Sequence, residues 1–301
     1  MRRRDFLKHG SLAAGVAMMP TVLKAAGKSA VSNGNKNLIF VHLKGGNDGL
    51  NTVIPYADPM YRAMRPTIAV SKEEMIYVDD KWGFHPSLSS LLPIYEAGQM
   101  LVMHQVGFDH KEQSHFHAAQ IWQTGCLQGL AANHWLPDTQ PVRDYSELEY
   151  EVALDKIYTE ISADNAGHIY HVALDGFDTH QFQRVQHDLL LAAFSEGISN
   201  FMKQLKDSAH INNTMVVAWT EFGRSPKENN RKGTDHGAAG QLYVFGGQLK
   251  RAGIEDCSVA GMLERETAKT DFREVYATIG DWMGINHQLT SKNGYRRQSW
   301  A

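Results

Sequence analysis

Five short runs of apolar and β-branched residues punctuate the chain, at 38–43 (LIFVHL), 100–106 (MLVMHQV), 169–174 (IYHVAL), 214–219 (TMVVAW) and 241–245 (QLYVF). Hydrophobic and polar positions scarcely alternate within them, which is the pattern of strands covered on both faces, as in a parallel sheet. Between the third and fourth runs, Val185, Leu189, Leu190, Phe194, Ile198, Phe201, Met202 and Leu205 recur mostly at spacings of three and four. That period predicts an amphipathic helix over 185–205. Weaker helical patterns occupy 88–96, 115–123 and 272–283. Strands alternating with helices predict an α/β fold, a mostly parallel sheet sandwiched by helices with right-handed crossovers.

The stretch 127–166 departs from this rhythm. It carries Asp138, Asp144, Glu147, Glu149, Glu151, Asp155, Glu160 and Asp164, and its apolar residues show no clean period. A small solvated cap over one end of the sheet is expected there, since so few apolar residues cannot build a second core. The chain from 28 to 301 thus reads as one domain with a cap excursion.

The first 27 residues read as an address. Arg3-Arg4-Asp5-Phe6-Leu7-Lys8 is a twin-arginine signature, followed by an uncharged run and by Lys24-Ala25-Ala26-Gly27 with small residues for cleavage. Pro20 interrupts the run, which is too short to span a membrane. Export to the periplasm through the twin-arginine translocase is the expectation.

Of the 301 residues 43% are hydrophobic, which excludes a disordered or multi-spanning chain. The net charge is −3, and the address segment holds Arg2, Arg3, Arg4, Lys8 and Lys24 against Asp5 alone, so the remainder is more acidic still. Such a chain has no general footprint for nucleic acid, although a local pocket for one small anion is compatible with it. Cys126 and Cys257 make no disulfide framework, and one bridge or two thiols fit equally.

Chemistry gathers after the predicted strands. Asp48 follows the first, Ser114 the second, Asp178 and His180 the third, and Glu221 and Arg224 the fourth; Asp235 and His236 lie in a polar stretch before the fifth. In an open parallel sheet all strand carboxyl ends share one edge, so groups far apart in sequence meet there. Asp48, Asp178, His180, Glu221, Asp235 and His236 mix oxygen and nitrogen donors, which suits zinc, manganese or iron better than calcium. The competing reading makes each acid a helix cap or a turn residue. Ser114 precedes a helix, where it is either an N-cap or, beside a metal, an activated nucleophile. Arg224 offers a planar fork to phosphate or sulfate oxygens, against the alternative of a surface ion pair. His42, His104 and His171 lie inside strands and read as supporting groups. His110, His115 and His117 flank Ser114 as possible substrate contacts. No phosphate loop, dinucleotide fingerprint or Cys-x-x-Cys pair is present.

Five segments carry a resemblance: HLKGGNDGLNTVIPY (42–56), QSHFHAAQIWQTG (113–125), GFDTHQ (176–181), TEFGRSPKENNRKGTDHG (220–237) and FREVYATIGDWMG (272–284). With the exported N-terminus they resemble the bacterial family known as domain of unknown function 1501, which is related to the alkaline phosphatase and sulfatase superfamily. The resemblance implies an α/β fold with one or two divalent metals at the strand ends and a hydrolase of small anionic phosphate or sulfate esters. It implies Asp48 as the first-strand metal ligand, Ser114 as nucleophile, Asp178, His180 and His236 as ligands of one metal, and Glu221 as a carboxylate of the other. Phe222 stands where that superfamily often has His, so a single-metal site becomes plausible. A non-catalytic exported protein using the same scaffold to bind a ligand or an envelope protein partner is the second expectation.

Overall fold

The computed structural model describes residues 36–109, 113–126, 142–163, 167–255, 257, 261, 268–285 and 295–301. The twin-arginine segment and residues 127–141 and 164–166 of the expected cap lie outside the described residues.

Each of the five apolar runs is a strand. In chain order the principal elements are β1 (Asn37–Lys44), β2 (Met100–Gly107), α1 (His115–Thr124), β3 (Val142–Asp144), α2 (Tyr150–Ser162), β4 (Ile169–Asp175), α3 (Gln183–Asp207), β5 (Thr214–Trp219), β6 (Arg224–Glu228), β7 (Thr234–His236), β8 (Gly240–Gly246) and α4 (Phe272–Met283). The main sheet runs in the order Gly253–Ile254, β2, β8, β5, β1, β4, β3, with Thr270–Asp271 also paired to β2. Its pairings are parallel except at β8, which is antiparallel to both β2 and β5. The cause is the connection. β5 leads into the antiparallel hairpin β6–β7 and returns at once as β8, with no crossover helix to turn the strand round.

Alternate residues of the strands face two different cores, which is why the runs read as continuously apolar. On one face Ile39, Val41, Leu43, Val216, Ala218, Tyr243 and Phe245 pack against α2 and α3. On the other, Leu38, Phe40, Met215, Val217, Leu242 and Val244 pack against α1 and α4, with Trp300 fully buried among them. Helices thus cover both faces of the sheet.

Three sequence expectations change. The second half of the expected cap is no cap: β3 extends the sheet parallel to β4, and Tyr150, Ala153, Leu154, Ile157 and Ile161 of α2 are buried in the first core. Their spacing is helical, but the acids between them masked the period. Within α3 the buried face at its start runs through Gln183, His187, Leu191 and Phe194, which leaves Val185 and Leu189 in solvent. The pattern over 88–96 resolves into a 3₁₀ turn, Pro86–Leu91, followed by the short helix Leu92–Glu96. Cys126 and Cys257 are not joined in a disulfide.

If α2 belongs to the core, Ile157→Ala removes a side chain with 0% exposure and costs about 2–5 kcal/mol, read from urea unfolding. A residue of a solvated cap would shift the midpoint far less.

Candidate metal centre

The site is assembled from four loops at one edge of the sheet. Lys44 ends β1, and the chain turns through Gly45 (φ +115°) and Gly46 (φ +85°), both in the left-handed region. A Cβ on Gly45 would lie 2.4 Å from the backbone nitrogen of Asp178, so only glycine lets the loop after β1 pack against the loop after β4. The Gly45 amide donates to Glu221 Oε1 at 2.9 Å, joining the loop after β5 to the same junction. From α1, the Trp122 indole donates to the Glu221 carbonyl at 3.1 Å.

Glu221 is buried and does not present an oxygen to solvent. Its Oε1 also accepts from His115 Nδ1 at 2.6 Å and its Oε2 from His42 Nε2 at 2.9 Å, while the Trp219 ring stacks on His42 at 4.0 Å. Burial pushes the Glu221 carboxyl up, but the hydrogen bonds from His115 and His42 outweigh it and hold the group far below the usual carboxylate range. In return, the bond to Glu221 raises the pKa of His115 against the opposing effect of burial.

Two further imidazoles are tied the same way. His180 Nδ1 faces Asp235 Oδ1 at 3.3 Å, and His236 Nδ1 faces the Gln113 carbonyl at 3.1 Å. An ionised carboxylate or a carbonyl carries no hydrogen, so in all three rings Nδ1 is the donor to that oxygen and Nε2 is the atom turned toward Asp178, with Arg224 Nη1 3.5 Å from that of His180. These nitrogens converge. The Nε2 atoms of His180, His236 and His115 lie 3.1, 3.3 and 3.4 Å from Asp178 Oδ1, and those of His180 and His236 are 3.0 Å apart. Arg224 Nη2 donates to the same Asp178 oxygen, so the chain itself already places one positive group against these atoms. Ligand atoms about 2.0–2.1 Å from a tetrahedral zinc ion stand roughly 3.3 Å from each other, and the separations of the three Nε2 atoms from Asp178 Oδ1 are of that order. His115 Nε2 is buried with no hydrogen-bond partner, as a donor held ready for an ion requires. Donor atoms of His115, Asp178 and His236 all fall within 4.8 Å of one another.

Arg224 braces the centre. Its Nε donates to Gly46 O at 2.8 Å, and its terminal nitrogens donate to Gly45 O, Phe177 O, Thr234 O and, at 2.5 Å, Asp178 Oδ1. Partial burial pushes Asp178 up, and Arg224 more than offsets it, so the carboxyl stays ionised below its ordinary range. The fork offered in the sequence reading to a substrate oxyanion is instead committed to four carbonyls and Asp178. Phe222, buried at 2% exposure, packs its ring 4.7 Å from His115 and 4.5 Å from His236, giving the cluster an apolar wall.

Asp48 faces elsewhere. It is 1% exposed, paired with Arg65 Nη1 at 2.5 Å and bonded by Gln183 Nε2 at 2.5 Å. Arg65, itself 0% exposed, also donates to Asn51 Oδ1, Ser225 O and Pro226 O. Burial raises the Asp48 carboxyl, and the guanidinium more than reverses that. The neighbouring His187, buried against Asn47, is driven down to about 3 by burial and stays neutral.

Of the residues singled out from the sequence, the structure brings Asp178, His180 and His236 together as facing donors. Glu221 and Asp235 reach the cluster through the far nitrogens of His115 and His180. Ser114 caps α1, its exposed hydroxyl accepting weakly from the His117 amide at 3.4 Å, and it stands between Gln113 and His115, both of which touch the cluster. Sequence reasoning passed over His115 as a donor. The placement that singled out Ser114, a helix start after a strand end, applied equally to the next residue.

Residues 163–299 match the family described as Protein of unknown function (DUF1501), the family identified from the sequence motifs. No curated protein matches the chain. The zinc complex of the C-terminal periplasmic domain of EcEptC from Escherichia coli is similar in structure, with a TM-score of 0.50 at 10% identity, covering 89% of this chain and 86% of that one. Lipoteichoic acid synthase LtaP from Listeria monocytogenes aligns with a TM-score of 0.48 at 10% identity over 89% of this chain and 74% of that one. A protein of the alkaline phosphatase superfamily from Vibrio parahaemolyticus aligns at 0.44 with 9% identity, over 95% and 76%. At such identity the similarity concerns fold alone, and the fold is the α/β sandwich expected from the sequence.

Asp48→Asn leaves the buried Arg65 charge uncompensated. We expect a loss of about 3–5 kcal/mol in urea unfolding, and Arg65→Met alone to be destabilising for the mirror reason.

Proposed function

We propose that the chain is an exported, metal-dependent hydrolase of phosphate or sulfate esters, with one divalent ion held by His115, Asp178, His180 and His236. The observation that carries this reading is the convergence of three imidazole Nε2 atoms on Asp178 Oδ1, each ring fixed by an oxygen on its other nitrogen. Three nitrogens and one carboxylate oxygen suit zinc, manganese or iron. When bound, such an ion supplies Lewis acidity and lowers the pKa of a nearby hydroxyl.

Ser114 is the nucleophile in this reading, supported by its position between two residues of the cluster and at the start of α1, where free amides favour negative charge. Its Oγ forms a bond to phosphorus or sulfur, the bond to the ester oxygen breaks, and the alcohol leaves; water then hydrolyses the seryl ester and restores the hydroxyl. Arg224 acts by keeping Asp178 ionised and in place. Glu221 and Asp235 hold the His115 and His180 rings to one tautomer. Export rests on the twin-arginine segment of the sequence.

A second reading, a non-catalytic protein that uses the pocket to bind a ligand or an envelope partner, draws support from Arg224, whose donors are engaged within the chain. Metal analysis of the folded protein together with a panel of phosphate and sulfate esters separates the two. The hydrolase reading expects one equivalent of metal, lost in Asp178→Asn and His236→Ala but kept in Asp48→Asn. Ser114→Ala is expected to lower turnover by at least about a hundredfold with metal content unchanged. Metal present without turnover of any ester would support the binding reading, and a metal-free protein would defeat the proposed centre.

A further inference from the structure

An apolar row begins at the cluster and is left unexplained by it. Phe182, two residues after His180, is 71% exposed, and Val185 and Leu189 follow on α3 at 72% and 68%. The spacing of four puts Val185 and Leu189 on one face of α3, and Phe182 stands just before its first turn. The face turns polar at the exposed Glu196, so the row from Phe182 to Leu189 runs for roughly 10 Å at the helical rise per residue. Phe182 sits in the left-handed region (φ +46°), which is uncommon for a bulky residue. It is pinned there by bonds from its own amide to Arg231 O at 3.0 Å and from the Gln183 amide to Lys232 O at 2.9 Å. The hairpin β6–β7 thereby fixes where the row starts. On another segment that feeds the cluster, Phe116 directly follows His115 and is 62% exposed. Single exposed apolar residues are ordinary, but a row of three leading into a polar centre has the form of a binding surface.

We propose that this row is the tail subsite of an amphiphilic ester, whose anionic head lies at the His115, Asp178, His180 and His236 cluster and whose alkyl or acyl chain lies along Phe182, Val185 and Leu189. The inference rests on the anion-binding reading of that cluster given above. Head and tail requirements are contiguous, since the row starts two residues from a metal donor. Its size also favours a chain: three side chains on one helix fall well short of the ~800 Å² per partner of a stable protein interface. An aliphatic tail of about octyl length would cover the row.

Calorimetric titration of the zinc-loaded full chain with inorganic, methyl, hexyl and octyl phosphate, each below its micelle-forming concentration, tests this. Octyl phosphate is expected to bind at least about tenfold more tightly than methyl phosphate. In the double variant Val185→Ser, Leu189→Ser, both on the surface, that gain should fall below about threefold while the affinity for inorganic and methyl phosphate is unchanged. Equal affinity for methyl and octyl phosphate, with inorganic phosphate still bound, would overturn the tail subsite and leave the metal centre standing. No binding of any phosphate would overturn both. A wild-type dimer that the double variant dissociates, with no chain-length dependence, would assign the face to a second copy and overturn the proposal.

Discussion

The chemistry of the strand-end edge depends on which nitrogen of three imidazoles carries the proton. Glu221, Asp235 and the Gln113 carbonyl each engage an Nδ1, and the three Nε2 atoms are left facing one carboxylate oxygen. Such a gathering needs positive charge beside it, and Arg224 brings one guanidinium to that oxygen. The surrounding structure makes the crowding durable. Phe222 keeps water from one side of two rings, and Glu221 is itself held by His42 and by the Gly45 amide, so His115 cannot easily rotate away from Asp178.

That arrangement is an outcome of topology as much as of residue type. β1, β4 and β5 are parallel neighbours, so the loops following them leave the sheet side by side, and Gly45 lets the first two touch. β8 alone runs the other way. Its reversal lets the hairpin between β5 and β8 fold back over the same edge, which delivers Asp235 and His236 from a segment that no strand end supplies. Arg224, at the first position of that hairpin, ties it to the loops after β1 and β4 through their carbonyls. One buried guanidinium therefore sets the distance between the third imidazole and the other two.

Much of this was legible in the sequence, and the parts that were not share a cause. The five strands and the long helix declare themselves because burial on both faces or on one stripe dictates a hydrophobic period. α2 did not, since Glu149, Glu151, Asp155 and Glu160 crowd its solvent side and hide the row from Tyr150 to Ile161. Position at a strand end gathered Asp178 and His180, and a polar stretch expected to fold back over the same edge added His236, yet neither could separate a group that faces the cluster from one that holds such a group from behind. Glu221, Asp235 and His115 differ in that respect only by side-chain direction. Arg65 is a similar case: it lies on the helix Pro59–Met64's trailing edge, far from any strand end, and nothing local marks it as the partner of Asp48.

The Asp48 and Arg65 pair bears on how many cations the fold needs. Asp48 follows β1 much as Asp178 follows β4 and Glu221 follows the end of β5, so three carboxylates stand at one edge of the sheet, Asp48 and Glu221 buried and Asp178 exposed. Each has a positive or hydrogen-bonding partner of its own: Arg65 for Asp48, Arg224 for Asp178, and the two imidazoles His42 and His115 for Glu221. A guanidinium bonded to a fully buried carboxylate, and satisfied on its other nitrogens by Asn51, Ser225 and Pro226, already provides the charge that a metal ion would otherwise bring to that position. Arg65 balances the charge of Asp48 through Oδ2, while Asp48 Oδ1 is buried without a hydrogen-bond partner; Phe222 offers no donor, and the imidazoles that meet at Asp178 are those of His115, His180 and His236. The proposed single ion would therefore sit at Asp178, beside the guanidinium that already faces it.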